Sequence, residues 1–387
     1  MHKKLRLGMI GGGKGAFIGA VHRIAARMDN EYDLVCGVFS SKPEVSALSG
    51  MEIGIPPARI YSNYQELFEN ESKLPADIRM EAVAIVTPNY LHYEPAKMAM
   101  ENGFHVIMDK PITVSLSESK ELRQISEKTG MLFCLTHTYT GYPMVKEARQ
   151  IILSGKLGEV RKVYIEYPQG WLSTALEKTG QKQAEWRSDP KRNGPGGALG
   201  DIGTHAFNMA EYISGLKVTQ LCADINKIVP DRQLDDDSNV LLKFENGASG
   251  ILFATQVAAG EENNIKVRVY ADKGGIEWQQ NDSNSLVIKW LDKPSETLRA
   301  GANINYLSSF ALHNCRTPGG HPEGYLEAFA NHYRNFALTV KAKQDNKDTK
   351  PEWLDYPGIE EGIRGMAFIE TAIASGESSQ KWLDLKL

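Results

Sequence analysis

Long apolar runs are missing from this chain of 387 residues. A membrane-spanning helix needs about 18 or more consecutive apolar residues, and the run Ala82–Val86 is only a strand long, so no transmembrane helix is expected. A secretory leader needs an apolar stretch of about 7 to 15 residues behind a basic start. Here Met1-His-Lys-Lys passes through Leu5-Arg-Leu7 directly into glycines, which predicts the first strand of a mature cytoplasmic protein. Cysteine is scarce too. Cys36, Cys134, Cys222 and Cys315 stand far apart with no C-x-x-C pair, which excludes a zinc ribbon or a small disulfide scaffold and predicts reduced, mostly buried thiols. Nor is there an excess of one charge. The 44 Lys+Arg against 48 Asp+Glu leave −4, with no block of five like charges, so neither nucleic acid nor a membrane surface is favoured as a partner.

What is present is the composition of an ordinary folded protein, 42% hydrophobic and 24% charged, with no repeat or low-complexity tract. At roughly 150 residues per domain, the length calls for two or three domains. From Leu5 to about Leu135, short apolar runs alternate with stretches of helical periodicity, the pattern of βαβ units around a parallel sheet. The runs are Leu5–Ile10, Leu34–Phe39, Ala82–Val86, His105–Met108 and Leu132–Leu135. Helices are expected near Phe17–Met28, Tyr64–Phe68, His92–Asn102 and Leu116–Lys128. The pattern changes after Tyr142-Pro143, where a helix to Ser154 leads into Val160–Tyr167. Strands Val218–Ile225, Ser238–Phe244, Ala248–Val257 and Lys266–Ala271 follow, with Asn246-Gly247 as a hairpin turn. Two late helices, near 324–343 and 358–375, must pack on this sheet or back on the first half. Residues 168–200 form an irregular stretch long enough to shape a site or a subunit contact. The fold class is α/β: a doubly wound first half, then a large, mainly antiparallel open sheet.

Gly11-Gly12-Gly13-Lys14-Gly15-Ala16 contains G-x-G-x-x-A directly after an expected strand and at the opening of an expected helix. Gly11 allows the tight turn, Gly13 lets the backbone approach a pyrophosphate, and the helix end at Ala16, Phe17 and Ile18 supplies amides and a positive dipole. The bland alternative is a structural glycine turn. At the end of the second strand the chain reads Val38-Phe39-Ser40-Ser41-Lys42, without the acid that would reject a 2′-phosphate. Ser40, Ser41 and Lys42 suit a ribose or a 2′-phosphate, so NAD and NADP both stay open, and Lys42 is equally a solvated turn lysine. Thr87-Pro88-Asn89 and His92 follow the next buried strand, at the edge where open α/β sheets bind ligands. Thr87, Asn89 and His92 are candidates to face the cofactor, or else form a plain helix entry.

Met108-Asp109-Lys110-Pro111 ends another strand at that edge, so Lys110 is placed beside the nicotinamide, where burial lowers a lysine pKa towards neutrality. Gly196-Gly197-Ala198-Leu199-Gly200-Asp201-Ile202-Gly203-Thr204-His205 sets a carboxylate and an imidazole four residues apart at a helix start, hence on one face. Asp201 can orient His205 while His205 takes a hydroxyl proton. The alternatives are a capping Asp with a core His, or a metal site, for which no third ligand stands at a diagnostic spacing; no metal is expected.

Together these motifs resemble the glucose-fructose oxidoreductase, inositol dehydrogenase and rhizopine-catabolism family, Gfo/Idh/MocA, over nearly the whole chain. The family commonly has Glu-Lys-Pro where this chain has Asp109-Lys110-Pro111. The resemblance implies an NAD(P)-binding Rossmann domain over 1–138 and a substrate-binding, oligomerising α/β domain over 139–387, often in homodimers or homotetramers. It also implies hydride transfer between nicotinamide and a carbinol carbon of a sugar or cyclitol, with Lys110, Asp201 and His205 at the catalytic positions. Asp109 and Arg187 join the cofactor set by this likeness, and Lys110, His137, Tyr139, Trp186, Asp201, His205 and His321 the substrate set. The stretches Gly11 to His22 and Gly320-His-Pro-Glu-Gly-Tyr325 look like the branch containing levoglucosan and L-glucose dehydrogenases, although Pro322-Glu323 is also an ordinary helix start. The leading expectation is an NAD(P)-dependent dehydrogenase of a secondary hydroxyl. A redox-neutral enzyme that keeps its NAD, and a non-catalytic sugar or nucleotide sensor, are the alternatives.

Overall fold

A computed structural model of the chain describes residues 3–387; Met1 and His2, the start of the basic stretch read above, lie outside the described residues. The chain divides into two units, the first made of residues up to Thr113, Ser117–Thr138 and Tyr325–Gly362, the second of Val114–Leu116, Tyr139–Gly324 and Ile363–Leu387.

In the first unit, β1 (Leu5–Gly11), β2 (Tyr32–Val38), β3 (Ala82–Val86), β4 (His105–Met108) and β5 (Phe133–Leu135) form a parallel sheet of order β2-β1-β3-β4-β5. β3 and β4 are buried along their whole length, which is why they read as continuous apolar runs. The expected helices form over Phe17–Met28, Tyr64–Lys73, Tyr93–Glu101 and Leu116–Thr129. A further helix, Pro43–Glu52, was not expected. It buries only Ser46, Ser49 and Gly50, so it has no apolar stripe to read, and only its Pro at the first turn announces it.

The Tyr325–Gln344 helix decides where the late helical segments go. Phe329, Ala330, Tyr333, Phe336, Ala337 and Val340 recur at helical spacing and join one core with Leu5, Leu7, Met9, Val21 and Ala25. The second domain therefore does not run unbroken from 139 to 387. Residues 325–362 return to the first unit because this stripe matches the apolar face of β1 and the Phe17–Met28 helix.

In the second unit, nine strands form one sheet of order β13-β12-β11-β10-β6-β9-β8-β7-β14. They are β6 (Val160–Pro168), β7 (Val218–Asn226), β8 (Asp237–Phe244), β9 (Ser249–Thr255), β10 (Lys266–Ala271), β11 (Gly274–Gln279), β12 (Ser285–Trp290), β13 (Glu296–Arg299) and β14 (Trp382–Asp384). β6 and β9 pair in parallel and the other pairs are antiparallel. Burial alternates along β6 and β8, so one face of the sheet is covered. The Thr204–Ser214 helix, buried on nearly every side, packs on β6, β9 and β10. The irregular stretch after β6 is pinned by Arg232, whose buried guanidinium donates to the Leu172 and Thr174 carbonyls and pairs with Glu177 and Asp236. All four cysteines are free thiols. Among the described residues no helix is long and apolar enough to cross a membrane.

The first helix reaches β1 through two glycines. Gly11, Gly12 and Gly15 have φ of +87°, +70° and +81°, and a Cβ on Gly19 would lie 2.2 Å from the Gly12 carbonyl oxygen and 2.3 Å from its Cα. Glycine to alanine inside an unobstructed helix stabilises by roughly 0.5–1 kcal/mol. Gly19→Ala is expected to do the opposite, costing about 1–3 kcal/mol in urea unfolding, because the obstacle is backbone that cannot turn aside; an unchanged or raised midpoint would contradict the close approach.

Candidate active site

The turn after β1 lies directly against the chain that follows β2. The Gly13 amide donates to the Phe39 carbonyl at 3.2 Å, and a Cβ there would lie 2.3 Å from that oxygen, so only glycine lets the turn lie against the end of β2. The Phe17–Met28 helix begins after Ala16 with no side-chain cap and no acid in its first turn. The Ala16 amide donates to the Gly13 carbonyl, and an uncapped helix end of this kind carries the positive dipole that suits a pyrophosphate. Ile18 is half-buried and Phe17 is 71% exposed beside this turn. After β2, the Ser40 hydroxyl accepts from the Lys42 amide at 3.1 Å, and Ser41 and Lys42 are exposed. Residues 39–42, directly after this strand, carry no carboxylate, and the residues present fit a nicotinamide dinucleotide.

At the ends of β3 and β4 several of the candidate side chains have partners within the protein. His92 is fully buried; its Nδ1 lies 2.8 Å from the Pro111 carbonyl and its Nε2 2.9 Å from that of Thr87. Burial lowers its pKa, and a neutral ring has one N–H for the two oxygens. His92 thus ties the β3 loop to the chain after Lys110. Asn89 is buried as well, and the Thr87 hydroxyl donates to Leu91, so the Thr-Pro-Asn stretch works as a helix entry. Asp109 turns one oxygen inward, accepting from the Thr136 hydroxyl at 2.7 Å, with His22 Nε2 at 3.3 Å. Nδ1 of His22 meets the Tyr333 hydroxyl at 2.6 Å. Burial alone would raise the Asp109 carboxyl, but the His22 charge and these hydrogen bonds hold it below the usual carboxylate range. His137, expected at the substrate, is also buried. Its carbonyl accepts from His332 Nε2 at 3.0 Å, and burial, with the charges of Lys110 and His332, pushes its imidazole down to about 3. It is a neutral buried neighbour of Lys110.

In the second unit, Asp201 and His205 lie on one continuous helical path that begins at Leu199, with Asp201 in its first turn. Leu199–Gly203 is a π-turn running straight into the Thr204–Ser214 helix, a distortion often found at functional sites. Its leading amides are taken by Asp235, whose carboxylate accepts from Gly197 N at 2.5 Å and Leu199 N at 2.7 Å, while its carbonyl accepts from Ala198 N at 2.9 Å. Burial nevertheless raises the Asp235 carboxyl to about 6. The Asp201 carboxylate receives Gln256 Nε2 at 2.9 Å and pairs with Arg187 Nε at 3.4 Å. Arg187, expected at the cofactor, is the counter-ion of Asp201 and stacks on Trp186 at 4.3 Å. Tyr139 lies edge-on to the buried His205, ring centroids 4.9 Å apart. Burial, and to a lesser degree the Asp201 charge, raise its phenol pKa.

His321 is exposed, and its neighbour Glu323 is spent inside the same loop, accepting from the Arg316 and Thr317 amides at 2.5 and 2.9 Å. The helix starts only at Tyr325, so Pro322-Glu323 is neither its first turn nor an open acid. Sequence reasoning missed Asp235, Gln256, Gln169 and Asn263, which stand singly at strand ends and in loops and carry no spacing signal. It named His22 only within the family likeness. Among the described residues no group of three or more His, Cys, Asp or Glu is gathered as metal ligands.

Residues 5–137 match the oxidoreductase family's NAD-binding Rossmann-fold domain, and residues 145–277 the GFO/IDH/MocA C-terminal domain. The first unit is an NAD-binding Rossmann fold and the chain is an oxidoreductase. It belongs to the GFO/IDH/MocA family. An oxidoreductase from Sinorhizobium meliloti is 44% identical, with TM-score 0.88 over 98% of this chain and 99% of that one. An inositol dehydrogenase homologue from Azotobacter vinelandii, solved with NADH and myo-inositol, is 31% identical, with TM-score 0.90 over 99% of this chain and 98% of that one. Levoglucosan dehydrogenase of Pseudarthrobacter phenanthrenivorans is 25% identical over 99% of this chain and 98% of its own length.

The buried histidines set a pH dependence of stability. His105, whose Nδ1 accepts from the Leu132 amide, is held down to about 4 by burial, and His137 to about 3. Below the ordinary histidine pKa of about 6.5, the unfolded chain binds protons that the fold refuses. Stability therefore falls as pH drops from about 6.5 towards 4, by up to about 1.4 kcal/mol per pH unit for each ring. Asp235, raised by burial, acts in the opposite sense below about 6. The histidine contribution is read as the difference between the wild type and His105→Gln/His137→Gln. The double variant should lose less stability between pH 7 and 5 in urea unfolding; parallel losses would contradict the assignment.

Proposed function

We propose that this oxidoreductase converts one secondary hydroxyl of a cyclic sugar, glycoside or inositol to a ketone, reversibly, with NAD or NADP. The bound nicotinamide supplies the hydride acceptor. An imidazole nitrogen of His205 takes the hydroxyl proton, and the Asp201 carboxylate stabilises the imidazolium that forms. The Lys110 ammonium donates a hydrogen bond to the oxygen as it becomes a carbonyl. The carbon loses a hydride and the oxygen a proton, so the step balances.

The observation that carries this reading is the Asp201–His205 segment. A capped π-turn presents a carboxylate already held by an amide and a guanidinium, one helical step from an imidazole packed against a tyrosine edge. The substrate class is supported by the inositol dehydrogenase homologue and levoglucosan dehydrogenase, which resemble this chain along nearly its full length. The uncovered face of the nine-stranded sheet, where Leu241 is 44% exposed and Tyr164, Ile251 and Phe253 are half-buried, is suited to a second copy of the chain. We read the working form as a cytoplasmic homodimer or homotetramer, which sedimentation velocity tests.

Nicotinamide absorbance, followed with NAD and NADP separately against inositols, hexoses, 1,6-anhydro sugars and methyl glycosides, tests the activity. Lys110→Ala should lower kcat by about 100-fold or more and change cofactor affinity only slightly. Equal losses in both would remove Lys110 from the chemistry. No turnover, together with a nicotinamide dinucleotide that stays bound through purification, would point to a redox-neutral reaction instead.

A further inference from the structure

Asp201 is one end of a hydrogen-bonded chain whose direction is fixed. An ionised carboxylate only accepts, so Gln256 must turn Nε2 toward it, at 2.9 Å. The second hydrogen of that nitrogen goes to Gln169 Oε1 at 3.2 Å. An indole only donates, and Trp171 Nε1 gives its hydrogen to the same Oε1 at 3.1 Å. Gln169 must then point Nε2 the other way, where it meets Asn263 Oδ1. That oxygen also accepts from the Tyr167 hydroxyl at 2.7 Å. Asn263 in turn spends Nδ2 on the Tyr139 hydroxyl at 3.2 Å and on Gln280 Oε1 at 3.1 Å. The Tyr139 hydroxyl meets that of Tyr167, and the Tyr139 ring lies against His205. The chain starts at the carboxylate and ends on the tyrosine that packs on the imidazole. No amide in it can flip without setting two acceptors or two donors face to face.

We propose that Gln256, held in orientation by Gln169, is a positioning residue that keeps Asp201 ionised and aimed, so that the amide chain tunes the proton chemistry assigned to Asp201 and His205. Gln256 is buried and has no atom assigned to a reacting group, so it acts through Asp201. The placement of both glutamines is independent of their side chains. Gln256 N donates to Asp236 O at 2.9 Å, its carbonyl accepts from Leu172 N at 3.1 Å, and Gln169 N donates to Thr255 O at 2.8 Å. The first of these bonds extends the antiparallel pairing of β8 with β9 and the Gln169 bond the parallel pairing of β6 with β9, and they remain when a side chain is changed. Asp201 pairs with Arg187 from the Lys182–Arg187 helix and accepts from Gln256 at the end of β9; His205 follows it on the same helical path, and the Tyr139 phenol responds to its charge. Of these, only Gln256 can be changed in hydrogen-bonding sense at almost constant shape.

Gln256→Glu is that change. It turns a donor into a carboxylate facing a carboxylate, and two such groups share a proton instead of both ionising. The test is an NMR titration of protein labelled with 13C at the aspartate carboxyl carbons, with the Asp201 signal assigned by its loss in Asp201→Asn. In Gln256→Glu the Asp201 midpoint should rise by about one pH unit or more, in Gln256→Ala by less, and in Gln169→Glu, one hydrogen bond further away, by a smaller step of the same sign. Should Gln256→Glu not fold, the other two variants carry the comparison. With turnover, the acid limb of kcat/KM should move up by the same amount. An Asp201 midpoint unmoved in the variants, even with a lowered melting temperature, would make Gln256 a packing residue only and overturn the proposal.

This inference rests on the proposed dehydrogenase chemistry for its meaning, but the two fail separately. A shifted Asp201 titration in a chain that reduces no nicotinamide would sink the functional reading and leave the positioning intact. An active enzyme with an unmoved Asp201 titration would do the reverse.

Discussion

Backbone lies directly on backbone at both chemical ends of this chain, and that constraint places everything else. At the nucleotide end the Phe17–Met28 helix meets β1 through Gly12 and Gly19, with no room for a Cβ on either. A side chain at either position would lift the helix and carry its uncapped amides away from the place where a pyrophosphate must lie. In the second unit a Cβ on Gly197 would fall 2.0 Å from the Asp235 carbonyl oxygen. That approach lets one buried aspartate take three consecutive amides, from Gly197 to Leu199, and start the π-turn that carries Asp201.

Three aspartates show how surroundings divide labour among identical side chains. Asp235 has two amide donors but lies so deep that burial still raises its carboxyl to about 6; its work is to hold backbone. Asp109, with a histidine and a threonine hydroxyl around one oxygen, is kept below the ordinary range despite burial and anchors the strand end that carries Lys110. Asp201 has a guanidinium and an oriented amide as partners and keeps some exposure, which suits the role proposed for it beside the His205 ring.

Much of this was legible in the sequence, for stated reasons. Parallel strands buried on both faces leave unbroken apolar runs, so β1, β3 and β4 could be read almost to the residue, and Asn246-Gly247 marked its hairpin through the positive φ of Gly247. The family motifs pointed to Lys110, Asp201 and His205, whose catalytic roles are the proposal made above. The short outer strands β11 to β14 were not expected, since few residues on them alternate in a way a sequence can show. Burial was the other blind spot. His92, His137 and Glu323 have the chemistry of ligands but are consumed by carbonyls, burial and loop amides. The amides that fix Asp201 stand alone in sequence and meet only in three dimensions.

The central claim is that a carbon-bound hydrogen of a cyclic polyol passes as hydride to nicotinamide. The most direct measurement uses an inositol or anhydro sugar deuterated at its carbinol carbons, with the reduced cofactor analysed by mass spectrometry. One deuterium per turnover in the nicotinamide ring is the predicted result. Reduced cofactor without deuterium, or deuterium lost to water while the cofactor stays oxidised, would contradict it.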